Sequence, residues 1–213
     1  MRRLPIYILV DTSGKMQGER IELVNRKLNE LISNLRKDPY AIEAAYIWVA
    51  SYDMDMQIYI PLTAIYSVDL PVFESRPSTP SMLGGALFSL ESIFEKTINK
   101  PTAEKKGDYP PVLYILNGGK PSDSASAHDA MAQILSKRKI KLCLGLTSST
   151  LVPFYENLFD FNVLIGSIVI TDLNLPKNGC WIDIYSLVEA PVSDSPRTST
   201  LLSSPPKEIH ISF

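Results

Sequence analysis

The chain has 213 residues, of which 45% are hydrophobic and 21% charged, and its formal net charge is −2. This composition is ordinary for a globular protein with a full core, and the length suits one large domain better than two small ones. The near-neutral charge offers no basic field to a nucleic acid, and no apolar run is long enough to insert into a membrane. The two cysteines, Cys143 and Cys180, have no metal-ligand spacing, and we expect a reducing cytoplasm.

The first half of the chain predicts a buried strand, a helix and a hairpin. Residues 4–10 are continuously apolar, as is typical of a strand buried on both faces of a parallel sheet. Residues 18–36 carry apolar side chains with helical spacing, and Pro39 predicts the end of that helix. Residues 41–50 and 52–62 predict two strands, and the alternation in the second favours an antiparallel edge hairpin.

The same alternation predicts on which face of the hairpin two carboxylates lie. Asp53 and Asp55 are two residues apart and therefore share one face of the second predicted strand. Because methionine and tyrosine side chains occupy the other face, we interpret both aspartates as solvated edge residues rather than as catalytic groups.

The second half of the chain continues with alternating helices and strands. Residues 61–80 are irregular and rich in proline and serine. The later predicted elements are helices at 81–98, 122–137 and 152–158, strands at 112–116, 140–146 and 161–170, and a polar loop at 99–109. This order predicts a doubly wound α/β domain over residues 1–190, with a mostly parallel central sheet, one antiparallel edge hairpin and helices on both faces. Residues 191–213 predict a tail rich in serine, threonine and proline.

A polar motif directly follows the first predicted strand. Asp11-Thr12-Ser13 would offer a carboxylate and a hydroxyl to a hard cation such as Mg²⁺, which takes oxygen ligands and keeps several waters. Two residues further on, Lys15 carries an ammonium that has no lone pair to donate. The motif therefore has the form of a metal-binding loop that lacks one ligand.

Three polar segments should meet at the carboxyl edge of the sheet. They are residues 11–16, 79–82 and 117–121, and ligands of doubly wound folds bind at that edge. This arrangement resembles the von Willebrand factor A (VWA) domain, whose metal-ion-dependent adhesion site draws on these three loops. Several segments resemble its bacterial tellurite-resistance TerY-type branch in particular: Arg3-Leu4-Pro5-Ile6-Tyr7, Asp11-Thr12-Ser13-Gly14, Leu35-Arg36-Lys37-Asp38-Pro39-Tyr40-Ala41, Ser81-Met82-Leu83-Gly84-Gly85-Ala86-Leu87 and Pro205-Pro206-Lys207-Glu208-Ile209.

The resemblance implies a degenerate metal site. Asp11 and Ser13 match the first two family ligands, and Ser81 stands where the family has a metal-binding threonine. Lys15 replaces the third ligand, a serine, and Gly118 stands at the position of a ligating aspartate. Asp11, Ser13 and Ser81 are therefore expected to be vestigial ligands that hold no cation.

Three arrangements of Lys15 remain open from the sequence. We favour a Lys15–Asp11 ion pair that closes a site without metal, because an ammonium near the vacant position repels a divalent cation. Lys15 can instead project into solvent while Asp11 caps the following helix or turn. Finally, Asp11, Ser13 and Ser81 can retain Mg²⁺ or Mn²⁺ with the help of water ligands.

The resemblance implies a non-enzymatic protein-interaction module, acting as a scaffold or adaptor, that binds a partner at the top of the sheet. The alternative is a metal-dependent VWA adhesion module with a residual site. An enzyme is disfavoured because no nucleotide-binding glycine pattern or nucleophile–base motif is present. The expected partner-binding residues are Thr12, Lys15, Met16, Ser81, Met82, Asn117, Gly118, Gly119 and Lys120.

The TerY-type resemblance also implies a bacterial stress-response or tellurite-resistance system. Members of this branch occur beside a protein kinase and a phosphatase of the PP2C type, which are candidate partners. The tail then offers phosphoacceptors, although a merely solvated tail is the simpler interpretation. The candidates are Ser193, Ser195, Thr198, Ser199, Thr200, Ser203 and Ser204.

Overall fold

The computed structural model describes residues 2–159 and the backbone of a strand at 168–172. The strands are β1 (Leu4–Asp11), β2 (Ala45–Tyr52), β3 (Met56–Ala64), β4 (Val112–Asn117), β5 (Lys141–Leu146) and β6 (Ile168–Asp172). They form one six-stranded sheet in the order β3-β2-β1-β4-β5-β6. All neighbouring pairs are parallel except β2 and β3, which form the antiparallel hairpin at one edge. The predicted mostly parallel sheet with an antiparallel edge hairpin is confirmed.

Helices cover both faces of this sheet. They are α1 (Glu19–Leu35), α2 (Pro39–Ala44), α3 (Leu83–Thr97), α4 (Ser124–Lys137) and α5 (Val152–Leu158). The apolar run of β1 serves both faces, because successive strand side chains point in opposite directions. Ile6, Ile8 and Val10 belong to the core beneath α1, whereas Tyr7 and Leu9 belong to the core beneath α3, α4 and α5. The predicted doubly wound α/β architecture is therefore confirmed.

The start of β2 differs from the prediction. The strand predicted at 41–50 begins at Ala45, and the short helix α2 precedes it. The cause is a local cap: one carboxylate oxygen of Asp38 accepts the backbone N–H groups of Tyr40 and Ala41. Pro39 occupies the first helical turn, where its missing N–H costs nothing. The Asp38 cap therefore makes residues 39–44 helical, although their apolar pattern predicted a strand.

The hairpin turn also corrects one assignment. Residues 53–55 connect β2 to β3, so Asp53 lies in the turn and not on a strand. Asp53 is only 3% exposed, because its Oδ1 accepts the N–H groups of Met54 and Asp55 and its Oδ2 lies 3.3 Å from Arg76 Nε. The prediction that Asp53 is solvated is wrong, whereas Asp55 is exposed as predicted.

The remaining predictions concern the end of the chain. The observed β6 overlaps the strand predicted at 161–170. The domain boundary at 190, the tail at 191–213 and all of its candidate phosphoacceptors lie outside the described residues. Within the described part of the chain, no helix combines the length and the apolar character that crossing a membrane requires.

Candidate functional site

The loops after β1, before α3 and after β4 meet at the carboxyl edge of the sheet. The loop after β1 contacts the segment that leads into α3, since Gly14 N–H donates to Thr79 O at 3.2 Å and Arg76 N–H donates to Thr12 O at 2.7 Å. The loop before α3 in turn contacts the loop after β4, since Ser122 N–H donates to Ser81 O at 2.7 Å. The structure therefore brings together the three segments that the sequence singled out.

Asp11 lies at the centre of this junction and is 0% exposed. Its Oδ1 accepts the N–H of Ser13 at 2.8 Å and its Oδ2 accepts the hydroxyl of Ser81 at 3.1 Å. Burial raises the pKa of the Asp11 carboxyl, and the hydrogen bonds from Ser13 and Ser81 offset part of that rise. Asp11, Ser13 and Ser81 are thus adjacent, and Asp11 caps the turn that follows it.

Lys15 does not pair with Asp11, and the predicted ion pair is wrong. Its ammonium donates to the backbone carbonyl of Lys120, and the ion pairs among the described residues do not include Asp11. The side chain reaches Lys120 by crossing Gly119, where an added Cβ would lie 2.5 Å from Lys15 Cδ. Because Gly119 has no side chain, it leaves room for the stem of Lys15.

Met16 fills the space beside Gly118. The methionine is fully buried, and a Cβ added at Gly118 would overlap its sulfur. The family resemblance implies a ligating aspartate at the position of Gly118. In this structure the Met16 thioether packs where the side chain of that aspartate would lie. The stem of Lys15 and the sulfur of Met16 thus fill the space beside Gly119 and Gly118.

The residues present do not fit a Mg²⁺ or Mn²⁺ site of the intact kind. A hard cation requires several oxygen ligands and retains water. Here one buried carboxylate has a hydrogen-bond donor on each oxygen, and Met16 and the stem of Lys15 pack against Gly118 and Gly119. Within residues 2–159, no three His, Cys, Asp or Glu side chains are grouped closely enough to hold a metal ion.

Two tyrosines belong to the junction and were not identified from the sequence. Asn117 Nδ2 donates to the Tyr52 hydroxyl at 2.6 Å, and the Tyr155 hydroxyl donates to Gly119 O at 2.8 Å. Burial raises the pKa of both phenols, and the nearby Asp11 carboxylate raises each further. Tyr52 is one of several apolar or aromatic strand residues in the sequence, and no local motif marks either tyrosine.

Burial removes most of the expected partner-binding residues from the surface. The buried members are Thr12, Met16, Ser81, Asn117, Gly118 and Gly119. Lys15 and Met82 are half-buried and Lys120 is exposed. Exposed Arg20 joins them, because its guanidinium donates to Lys15 O at 2.7 Å and to Gly118 O at 3.2 Å. We call Lys15, Arg20 and Lys120 the cationic rim.

Comparisons with known structures agree with this architecture. The SpRpn10 VWA domain is 12% identical, with 80% of this chain and 87% of that chain covered and a TM-score of 0.53. Proximal thread matrix protein 1 from the mussel byssus is 12% identical, with 68% and 38% covered and a TM-score of 0.50. The pilus adhesin SpaC from Lactobacillus rhamnosus GG is 7% identical, with 68% and 24% covered and a TM-score of 0.51. At these identities the likeness shows the fold alone.

The chain spans about two fifths of the mussel protein and a quarter of the adhesin. A search of curated protein sequences finds no significant match. The family comparison, in contrast, matches residues 6–149 to the von Willebrand factor type A domain, which is more than half of the chain. The chain therefore belongs to the von Willebrand factor type A domain family, whose members commonly serve as protein-interaction modules.

Proposed function

We propose that this VWA domain is a non-enzymatic scaffold or adaptor that binds an acidic group of a protein partner through the cationic rim, without a metal ion. The observation that carries the proposal is the position of the Lys15 ammonium. It lies at the surface on the carbonyl of Lys120 and leaves Asp11 buried beneath it. In an intact adhesion site the metal cation binds a carboxylate of the partner. Here the Lys15 ammonium would bind that carboxylate instead.

The charges of the rim support this binding mode. None of the acidic side chains in the described part of the chain forms an ion pair with Lys15, Arg20 or Lys120. The Lys120 ammonium instead lies 4.9 Å from the centre of the Phe154 ring. Each close contact between a partner carboxylate and a rim cation would contribute about 1 to 4 kcal/mol of Coulomb energy for effective dielectric constants of about 80 to 20.

The chemistry of the buried junction supports a non-enzymatic role. Its polar side chains are those of Asp11, Ser13, Tyr52, Ser81 and Asn117. A serine nucleophile requires an adjacent general base such as histidine. No histidine or cysteine belongs to this group, and both serine hydroxyls are buried beneath the surface.

The test is affinity capture with charge variants of the rim. We expect Lys15→Ala and Lys120→Glu each to lose a partner that the wild type retains, in chelating buffer as well as with added Mg²⁺. Lys37→Glu is the control for Lys120→Glu, because Lys37 is also exposed and follows α1 at the opposite edge of the sheet. A partner that both rim variants retain, or that the chelator releases, contradicts the proposal.

The resemblance to the TerY-type branch supports a more specific setting. In this setting the domain acts in the cytoplasm of a bacterium, within a stress-response or tellurite-resistance system, beside a protein kinase and a PP2C-type phosphatase. The kinase would modify the serine- and threonine-rich tail between Ser193 and Ser204. Mass spectrometry after incubation with a neighbouring kinase tests this part, and an unmodified tail ends it.

A further inference from the structure

A series of buried polar side chains lies at the junction below the cationic rim. Asn117 Nδ2 donates to the Tyr52 hydroxyl at 2.6 Å, and the side chain of Tyr52 also lies close to that of Ser81. Ser81 in turn donates its only hydroxyl proton to Asp11 Oδ2 at 3.1 Å. The four buried side chains are therefore adjacent, and hydrogen bonds join them in two pairs, Asn117 with Tyr52 and Ser81 with Asp11.

Both ends of this series hold backbone groups of the loops. At one end, Asp11 Oδ1 accepts the N–H of Ser13 at 2.8 Å. At the other end, Asn117 Oδ1 accepts the N–H of Gly119 at 2.6 Å. The series thus joins the loop after β1, the loop before α3 and the loop after β4 through side chains that are all buried.

We propose that this Asn117–Tyr52–Ser81–Asp11 network takes the structural place of the missing cation and ties the three loops together. Tyr52 and Asn117 are then positioning residues for the cationic rim. Hydrogen-bonded polar side chains in a buried network restrict the conformation of the segments that they join. The Asp11 charge is compensated by hydrogen-bond donors here, rather than by a metal ion.

The network reaches the rim through the turn at residues 117–120. Gly119 lies under the stem of Lys15, and the carbonyl of Lys120 holds the Lys15 ammonium. The carbonyl of Gly118 accepts from the Arg20 guanidinium. A displacement of this one turn therefore changes the relative positions of all three cations. Only this last step, from the turn to partner binding, rests on the proposed function.

The chain offers a matched control for the loss of a buried tyrosine hydroxyl. Tyr7 is fully buried in the same core as Tyr52, and its hydroxyl lies 2.7 Å from that of Thr97. Thr97 is the last residue of α3, whereas the network lies at the beginning of that helix. Tyr7→Phe thus removes the same chemical group at the opposite end of the sheet.

The experiment is residue-resolved amide hydrogen exchange on the full chain in chelating buffer. We expect Tyr52→Phe to reduce the protection of the Ser13, Gly119 and Ser122 amides by about tenfold relative to amides of β4, because the variant leaves the buried Asn117 Nδ2 without its partner and removes the polar contact with Ser81. Tyr7→Phe should leave these three amides unchanged relative to the same reference. If Tyr52→Phe does not fold, Asn117→Ala provides the second variant, with the same expected loss at Gly119.

Two results would overturn the network proposal. One is a loss of protection in Tyr52→Phe that is uniform over the sheet or absent from the three loops. The other is a gain of protection at these loops when Mg²⁺ is added to the wild type, since a cation would then organise them. Because no partner takes part in this measurement, its outcome is independent of the charge-variant test of the proposed function.

Discussion

At the scale of single residues, Asp11 determines how the site responds to pH. Burial raises its pKa in the folded protein, so the folded state binds the proton more tightly than the unfolded state does. The stability that this proton contributes is present below the unfolded pKa, near 3.8, and is lost as the pH rises through the raised folded pKa. The loss amounts to about 1.4 kcal/mol for each unit by which the pKa is raised.

Asp11→Asn removes this titration, and its stability relative to wild type should therefore increase with pH. Urea unfolding of both proteins in chelating buffer, from acidic to slightly alkaline pH, measures the difference. The absolute offset between the two proteins includes the altered hydrogen bond to Ser81, so the slope is the quantity that decides. If the stabilities of the two proteins changed in parallel with pH, the pKa of Asp11 would be the same in the folded and unfolded states, which would contradict the prediction.

At the scale of elements, α3 and α4 are held together by a close approach and a charge cluster. Gly84 allows the approach, because a Cβ there would lie 2.6 Å from the backbone of α4. At the other end of the pair, Arg138 donates to Glu91 at 2.8 Å and to Glu95 at 2.6 Å, and Glu91 is buried. Lys137 also lies 3.1 Å from Glu91.

Arg138→Ala should destabilise the domain by about 3 kcal/mol, because it removes one partner of a buried carboxylate. This is the low end of the usual cost, since Lys137 still compensates part of the Glu91 charge. Chemical denaturation measures the change. Lys100→Ala is the control, because its pair with Glu95 is exposed and should contribute nothing measurable. If the two variants lowered the free energy of unfolding equally, the Arg138–Glu91 pair would contribute no more to stability than an exposed ion pair does.

The elements differ in how far the sequence determines them. β1, β4 and β5 were predictable because a strand buried on both faces needs a continuous apolar run. The short helix α2 was not, since its six residues depend on the Asp38 cap rather than on periodicity. Asp53 was misassigned because alternation continued through a turn, and only the three-dimensional structure shows that its carboxylate faces inwards.

The site shows the same division between local and distant information. Asp11, Ser13 and Ser81 were found because their loops follow or precede predictable elements. The position of the Lys15 ammonium was not, since its flexible stem reaches a carbonyl 105 positions away as readily as a carboxylate four residues away. Tyr52 was missed because its role depends on contacts with Ser81 and Asn117, which are distant in sequence.

At the scale of the whole molecule, the parallel sheet determines where a cation would bind and the loops determine whether it can. We expect isothermal titration of the wild type with Mg²⁺ or Mn²⁺ to show no binding. Lys15→Ser with Gly118→Asp introduces the two oxygen ligands that the family resemblance implies, but the new aspartate would overlap the sulfur of Met16. The variant that tests the geometry therefore also carries Met16→Ala, and it should bind the cation.

The control for that variant is Asp11→Ala in the same background, which should abolish binding because it removes the carboxylate common to both forms of the site. Binding by the triple variant alone would mean that the fold retains the geometry of a metal site and that the residues at positions 15, 16 and 118 prevent it from binding a cation. Binding by the wild type would instead favour the metal-dependent adhesion module, because Lys15 and Met16 would then have to move aside for the cation. In the first outcome the buried network holds the three loops in the wild type, and in the second a cation does. The titration therefore tests how the whole carboxyl edge of the sheet is organised.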